Sequence, residues 1–215
     1  MEELRENPKK LLVQKNPQSL VSFILPGAVF EEEIYDVLCD FSSLPDVLYR
    51  VMWKGKQIVL HVEFQRMRYT KMATRLWKYS ASTCMRTSLP VHSVVICLME
   101  YIPLAQSPYV IPLPDGRATH RLDFETIKLW EVAPEVLEQP ELVGLLPLLP
   151  FTKGGNGREM VERMIKGLEK AGRQDLLALG YEFSALMLTA KDDAQWLKTV
   201  QQPMPSGHSA LPHLY

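Results

Sequence analysis

The 215 residues (24.6 kDa) are 47% hydrophobic and 23% charged, which excludes a disordered chain and suffices for one large domain or one domain with a small appendage. A net charge of −1 excludes a protein that is basic throughout, and three scattered cysteines (Cys39, Cys84, Cys97) with no C-x-x-C pair argue against a zinc ribbon or a dithiol redox site. The charged start MEELRENPKK and the absence of an unbroken apolar span predict a cytoplasmic protein with no secretory signal and no membrane contact. In chain order, Asn16 as N-cap and Pro17 at the first helical position predict a helix whose stripe is Leu20, Val21, Ile24 and Leu25, stopped by Pro26 and Gly27. Residues 30–40 read as a second, acidic helix or turn. Two strands follow, 46–53 and 58–65, joined by a hairpin at Lys54, Gly55 and Lys56. In the second, Ile58, Leu60, Val62 and Phe64 fall on one face and Val59, His61, Glu63 and Gln65 on the other.

A basic helix is expected over 69–86, with Met72, Leu76 and Tyr79 at helical spacing, and then a buried strand over 91–99. A proline-rich loop (103–116) precedes a strand at 122–132. Residues 135–151 read as a short helix and a proline-punctuated apolar stretch, and Gly154, Gly155 and Gly157 mark a joint. Helices are expected at 158–171 and 173–190, with a short third one at 192–200. This order predicts an α/β fold, a mixed sheet flanked by helices, in residues 1–155; a helical extension in 156–200; and a disordered tail in 201–215.

Charge is uneven along the chain. Residues 1–40 carry eight acids against four bases, whereas residues 46–86 carry nine Lys/Arg against Asp46 and Glu63 alone. From Arg66 to Arg86 six bases occur with no acid, which makes Arg66, Arg68, Lys71, Arg75 and Lys78 candidates for tracking a phosphate backbone, or simply a solvated face. Trp77 and Tyr69 either stack on bases or pack in the core. Arg75 and Tyr79 stand one turn apart on one helix face, placed to reach a phosphate near Glu63, with ordinary packing for Tyr79 and a surface role for Arg75 as the other readings.

The chemistry-bearing pattern is Pro45-Asp46 at the mouth of one strand and His61-Val62-Glu63-Phe64-Gln65 on its hairpin partner. Two carboxylates about 4 Å apart repel by roughly 4 kcal/mol at an effective dielectric of 20, so such a pair wants a cation. Mg²⁺, satisfied by one or two carboxylates plus waters and phosphate oxygens, suits it. Taken singly, Asp46 also reads as a turn residue and Glu63 and Gln65 as the solvated face of an edge strand.

These residues resemble the PD-(D/E)-x-K nuclease superfamily, whose core runs α-β-β-β-α-β. Pro45-Asp46 matches its first element and Glu63-Phe64-Gln65 its (D/E)-x-K element, with Gln65 where lysine is usual. The stretches NPQSLVSFILPGA, HVEFQ, TRLWKYS, LPVHSVVICL, HRLDFETIKLWEV, LVGLLPLLPFTKGG and DLLALGYEF resemble its Rpn branch of recombination-promoting, transposase-associated nucleases over roughly residues 16–200. The resemblance implies a restriction-endonuclease-like core and a DNA endonuclease of low sequence specificity that needs Mg²⁺, with Mn²⁺ as substitute, and no organic cofactor. Asp46 and Glu63 would be catalytic metal ligands, and Gln65 would orient the attacking water by hydrogen bonding without a lysine's charge. An acid on the first helix, Glu33 being the choice among Glu31, Glu32, Glu33 and Asp36, and His61 and Tyr79 beside the pair would be accessory; these acids also read as a solvated face and His61 as a structural histidine. DNA is the expected partner, and a double-strand cut would call for a homodimer. The alternatives are a nuclease-fold module, weak or inactive in catalysis, that binds DNA or protein, and a structural role in a mobile-element complex through the helices after residue 157.

Overall fold

A computed structural model describes residues 8–35, 45–155 and 157–187, together with 196 and 198. Its elements are α1 (Pro8–Lys15), α2 (Pro17–Ile24), β1 (Val29–Glu33), β2 (Val47–Trp53), β3 (Lys56–Gln65), α3 (Met72–Thr87), β4 (Val91–Cys97), β5 (Tyr109–Pro112), β6 (Ala118–Leu122), β7 (Glu125–Lys128), α4 (Pro134–Leu137), a 3-10 segment (Pro140–Phe151), α5 (Arg158–Lys170) and α6 (Leu177–Met187). The fold is α/β: a mixed five-stranded sheet of order β1-β2-β3-β4-β7 flanked by helices, with β5 and β6 as a separate hairpin. β1, β2 and β3 run antiparallel in sequence, whereas β3, β4 and β7 are parallel neighbours.

The hairpin at the sheet's centre forms where the local chemistry demands it. Lys54 and Gly55 take φ of 50° and 74°, the two left-handed residues a tight two-residue turn requires, and register then runs from Trp53↔Lys56 to Val47↔Val62. That register puts Val47, Tyr49 and Val51 with Leu60, Val62 and Phe64 on one face. Helices α1, α2, α5 and α6 and the 3-10 segment bury this face through Leu12, Val13, Leu20, Leu145, Leu149, Met164 and Phe183, all at most 2% exposed. The opposite face is covered by α3, whose Met72 and Leu76 pack on Val95, Cys97 and Phe124.

Several expectations are corrected. Residues 29–33 form an edge strand rather than an acidic helix, because β2 supplies their backbone partners and Glu31 and Glu32 find cations or donors in Gln57 and Arg50 across the sheet. Acids are at home on an edge strand, where they discourage pairing with other chains. The loop at 103–116 contains β5, the strand at 122–132 shortens to β7, and α1 forms where none was expected. The proline-punctuated stretch is a 3-10 segment, since Pro147 and Pro150 lack the N–H groups an α-helix would use. Asn16 holds the N-cap position of α2 but makes no capping bond; its Oδ1 accepts from Arg173 instead. Helices α5 and α6, expected as an extension, contribute Val161, Met164, Leu168 and Phe183 to the same core as the sheet. The expected helix at 192–200 and the tail at 201–215 lie outside the described residues, apart from positions 196 and 198. No helix among the described residues is long and apolar enough to cross a membrane.

Candidate active site

The α3-facing side of β3 carries His61, Glu63 and Gln65, all buried. Continued by one residue, the β2–β3 register sets Asp46 opposite Glu63 across the two antiparallel strands. Asp46 is tied to the end of the ladder: its Oδ2 accepts the Phe64 backbone N–H at 2.9 Å. Lys9, reaching in from α1, donates from Nζ to the Phe64 carbonyl at 3.1 Å and lies 3.7 Å from Asp46 Oδ2.

Glu63 is held from the other side. Arg75, on the inward face of α3, donates from Nε to Glu63 Oε1 at 2.9 Å, and its guanidinium lies 4.9 Å over the Tyr79 ring. His61 is fully buried, with Nδ1 3.2 Å from Ser93 Oγ and its ring edge-on to Tyr79. Its Nε2 stands 3.5 Å from Glu63 Oε1 and makes no hydrogen bond among the described residues. Burial, and then the negative charge of Glu63, push the Asp46 carboxyl above its ordinary range, while Lys9, the Phe64 N–H and Arg75 pull it down. Burial works against the Arg75 charge, but Glu63 outweighs it and the guanidinium is raised.

The expected residues divide clearly. Asp46, Glu63, His61, Arg75 and Tyr79 come together. Gln65 stands on the same strand face but turns away: its amide Nε2 reaches the carbonyls of Met67 and Pro103, both at 3.4 Å, and its Oε1 faces Cys97 Sγ at 3.8 Å. Glu33 sits on edge strand β1, not on a helix, and accepts from the Tyr35 hydroxyl at 2.7 Å rather than approaching the pair. Asp36 lies outside the described residues. Arg66 is half-buried, and Arg68, Lys71 and Lys78 are exposed along the start and outer side of α3. Sequence reasoning missed Lys9, for which the pattern holds no signal, and cast Arg75 as a phosphate contact rather than as the partner of Glu63.

Asp46 and Glu63 are the residues here that could hold a divalent cation. Asp46 Oδ1 and Glu63 Oε2 accept no hydrogen bond from any described residue, so each acid keeps one oxygen for a ligand. Among the described residues no three His, Cys, Asp or Glu side chains gather around one point. No family model, no curated protein and no solved structure matches the chain.

Proposed function

We propose that this protein is a metal-dependent DNA endonuclease that hydrolyses phosphodiester bonds with little sequence reading. The observation that carries the proposal is the pair Asp46 and Glu63, face to face across the β2–β3 hairpin, each with one oxygen left over, beside an α3 whose exposed side is basic. The element order α2-β1-β2-β3-α3-β4, with β3 and β4 parallel, supports the restriction-endonuclease-like reading, since it follows the α-β-β-β-α-β sequence expected of that core.

Asp46 and Glu63 would hold Mg²⁺, or Mn²⁺ in its place. A cation held there would make a bound water more acidic and stabilise the charge that builds on phosphate oxygens. Arg75 holds Glu63 through its Nε while its guanidinium lies over Tyr79, whose ring meets His61 of β3, so Glu63 is held in a fixed orientation. Arg68, Lys71 and Lys78 neutralise backbone phosphates without reading bases, which gives affinity that falls with salt.

The test is nicking of supercoiled plasmid with Mg²⁺, Mn²⁺ or EDTA by the wild type, Asp46→Ala and Glu63→Ala. The expected result is metal-dependent nicking that falls at least about 100-fold in both variants. A second reading is a nuclease-fold module that binds nucleic acid without cutting it; Gln65 turned toward Cys97 and the engagement of Glu63 by Arg75 favour it. A folded wild type that binds DNA but does not cut selects that reading. Nicking that survives both substitutions moves the site elsewhere.

A further inference from the structure

The position at which the motif carries lysine holds a neutral amide here, and that amide is committed to Met67, Pro103 and Cys97. Besides Arg75 on Glu63, a second positive charge stands beside Asp46. Lys9 enters from α1, 55 residues from Phe64 in sequence, and its ammonium both donates to the Phe64 carbonyl and faces Asp46 Oδ2 at 3.7 Å. Resting on the endonuclease reading, we infer that Lys9, and not Gln65, supplies the positive charge on the Asp46 side of this site, opposite Arg75 on Glu63, as a positioning residue that acts through Asp46.

The geometry gives Lys9 a grip on both partners of one contact. The Phe64 N–H is bonded to Asp46 and the Phe64 carbonyl to Lys9, so a single residue of β3, between Glu63 and Gln65, ties the ammonium to the carboxylate. An ammonium carries three donors and no acceptor, so beside Asp46 it stays a fixed positive charge and takes no proton from the attacking water. During hydrolysis the water oxygen bonds to phosphorus and loses its proton to solvent, while the phosphorus–ester oxygen bond breaks and the departing oxygen takes up a proton. Lys9 stays protonated throughout; its charge holds Asp46 in place and favours the negative charge gathering nearby.

Stability is a poor explanation for the contact. At 3.7 Å the ammonium is beyond hydrogen-bond length from Asp46, whose Oδ2 already accepts the Phe64 N–H, so the carboxylate keeps a partner when Lys9 is removed. α1 is anchored independently of it, through the fully buried Leu12 and Val13. A role in positioning and a role in folding therefore part company in one set of variants.

The experiment compares Lys9→Met, Lys9→Arg, Gln65→Ala and Lys9→Met combined with Gln65→Lys in the full chain. Cleavage kinetics on a short duplex with Mg²⁺, Mn²⁺ binding by calorimetry and thermal melting are the readouts. Lys9→Met should lower kcat about 100-fold with KM within about threefold, and Lys9→Arg should recover at least about a tenth of the wild-type rate. Gln65→Ala should cost far less than Lys9→Met, and Gln65→Lys should restore part of what Lys9→Met loses. Mn²⁺ should bind about three- to tenfold more tightly to Lys9→Met, because a competing cation has left the carboxylate. Its melting temperature should stay within about 3 °C of the wild type.

A Lys9→Met variant that cleaves at the wild-type rate overturns the inference while leaving the endonuclease reading intact. So does a Lys9→Met variant that loses Mn²⁺ binding and cooperative melting together, since that is a folding role. A wild type that binds Mn²⁺ but does not cleave overturns the endonuclease reading instead; tighter Mn²⁺ binding by Lys9→Met then sustains Lys9 as the charge beside the pair, and unchanged binding overturns it.

Discussion

Glu63, with a side chain only 4% exposed, has to find its positive charge inside the fold, and it finds it in Arg75 at 2.9 Å. Removing one member of such a pair leaves the other charge buried and uncompensated, which costs far more than the pair itself contributes. Arg75→Met should therefore destabilise the protein by about 3 kcal/mol in urea unfolding, and Arg75→Met with Glu63→Gln should recover a large part of that loss. Cys97 offers a second residue-scale check. Burial pushes its thiol from 9.0 up to about 11, with Lys128 pulling weakly the other way. Because the folded value is the higher one, this group's contribution to stability is complete below about pH 9 and drains away as pH rises through about 11. In a chain carrying Cys39→Ser and Cys84→Ser, Cys97 should resist a disulfide reagent at neutral pH until denaturant is added. At this scale Asp46 and Glu63 were legible in the sequence, since a tight hairpin sets residues 17 apart opposite one another. Lys9 was not, because nothing local to PKK says where a helix anchored by distant residues will aim its ammonium.

Among the elements, the 3-10 segment is the one whose placement depends most on a missing side chain. Gly144 passes so close to the start of α2 that a Cβ there would run into the Asn16 side chain and stand 2.9 Å from Ser19 Oγ. Ser19 also donates to the Glu141 carbonyl at 2.9 Å, so the two elements are fastened at the same point. Gly144→Ala should cost about 2 kcal/mol by overpacking, read as a lower urea midpoint with an unchanged m-value. On the opposite face of the sheet, Leu76→Ala should cost about 3 kcal/mol, since a fully buried leucine there is the centre of what joins α3 to β4. Element identity was legible where the pattern is local: the alternation of β3, the apolar run of β4 and the spacing of Met72, Leu76 and Tyr79. It was illegible for β1, whose Glu31, Glu32 and Glu33 are poor strand formers and become a strand only because β2 offers a row of backbone partners. The shortening of β7 has the same kind of cause, since the chain leaves the sheet at Leu129 to bury that side chain in the main core.

At the scale of the whole molecule, one face of the sheet is covered by helices from early and late in the described chain, α1, α5 and α6. α1 packs on the 3-10 segment and on α6, and Lys15 donates to the carbonyl of Asp175, 160 residues away. Helices α5 and α6 add Val161, Met164, Leu168, Leu177 and Phe183 to the core that covers β2, β3 and β4. A chain ended at residue 155 should accordingly fail to unfold cooperatively and should show broad amide signals, whereas an independent extension would leave the sheet intact. The alternation of strands and helices made the α/β class legible, but the sharing of one core between both ends was not, because the amphipathic stripe of a helix does not name the surface it will meet. The seat of α1 also fixes an order of events on the ribosome. The first helix leaves the exit tunnel early, yet the surface that aims Lys9 at Asp46 is finished only when α6 emerges. Products that stop short of α6 would then carry Asp46, Glu63 and α3 without the surface that seats α1, so Lys9 would have nothing to hold its ammonium against Asp46.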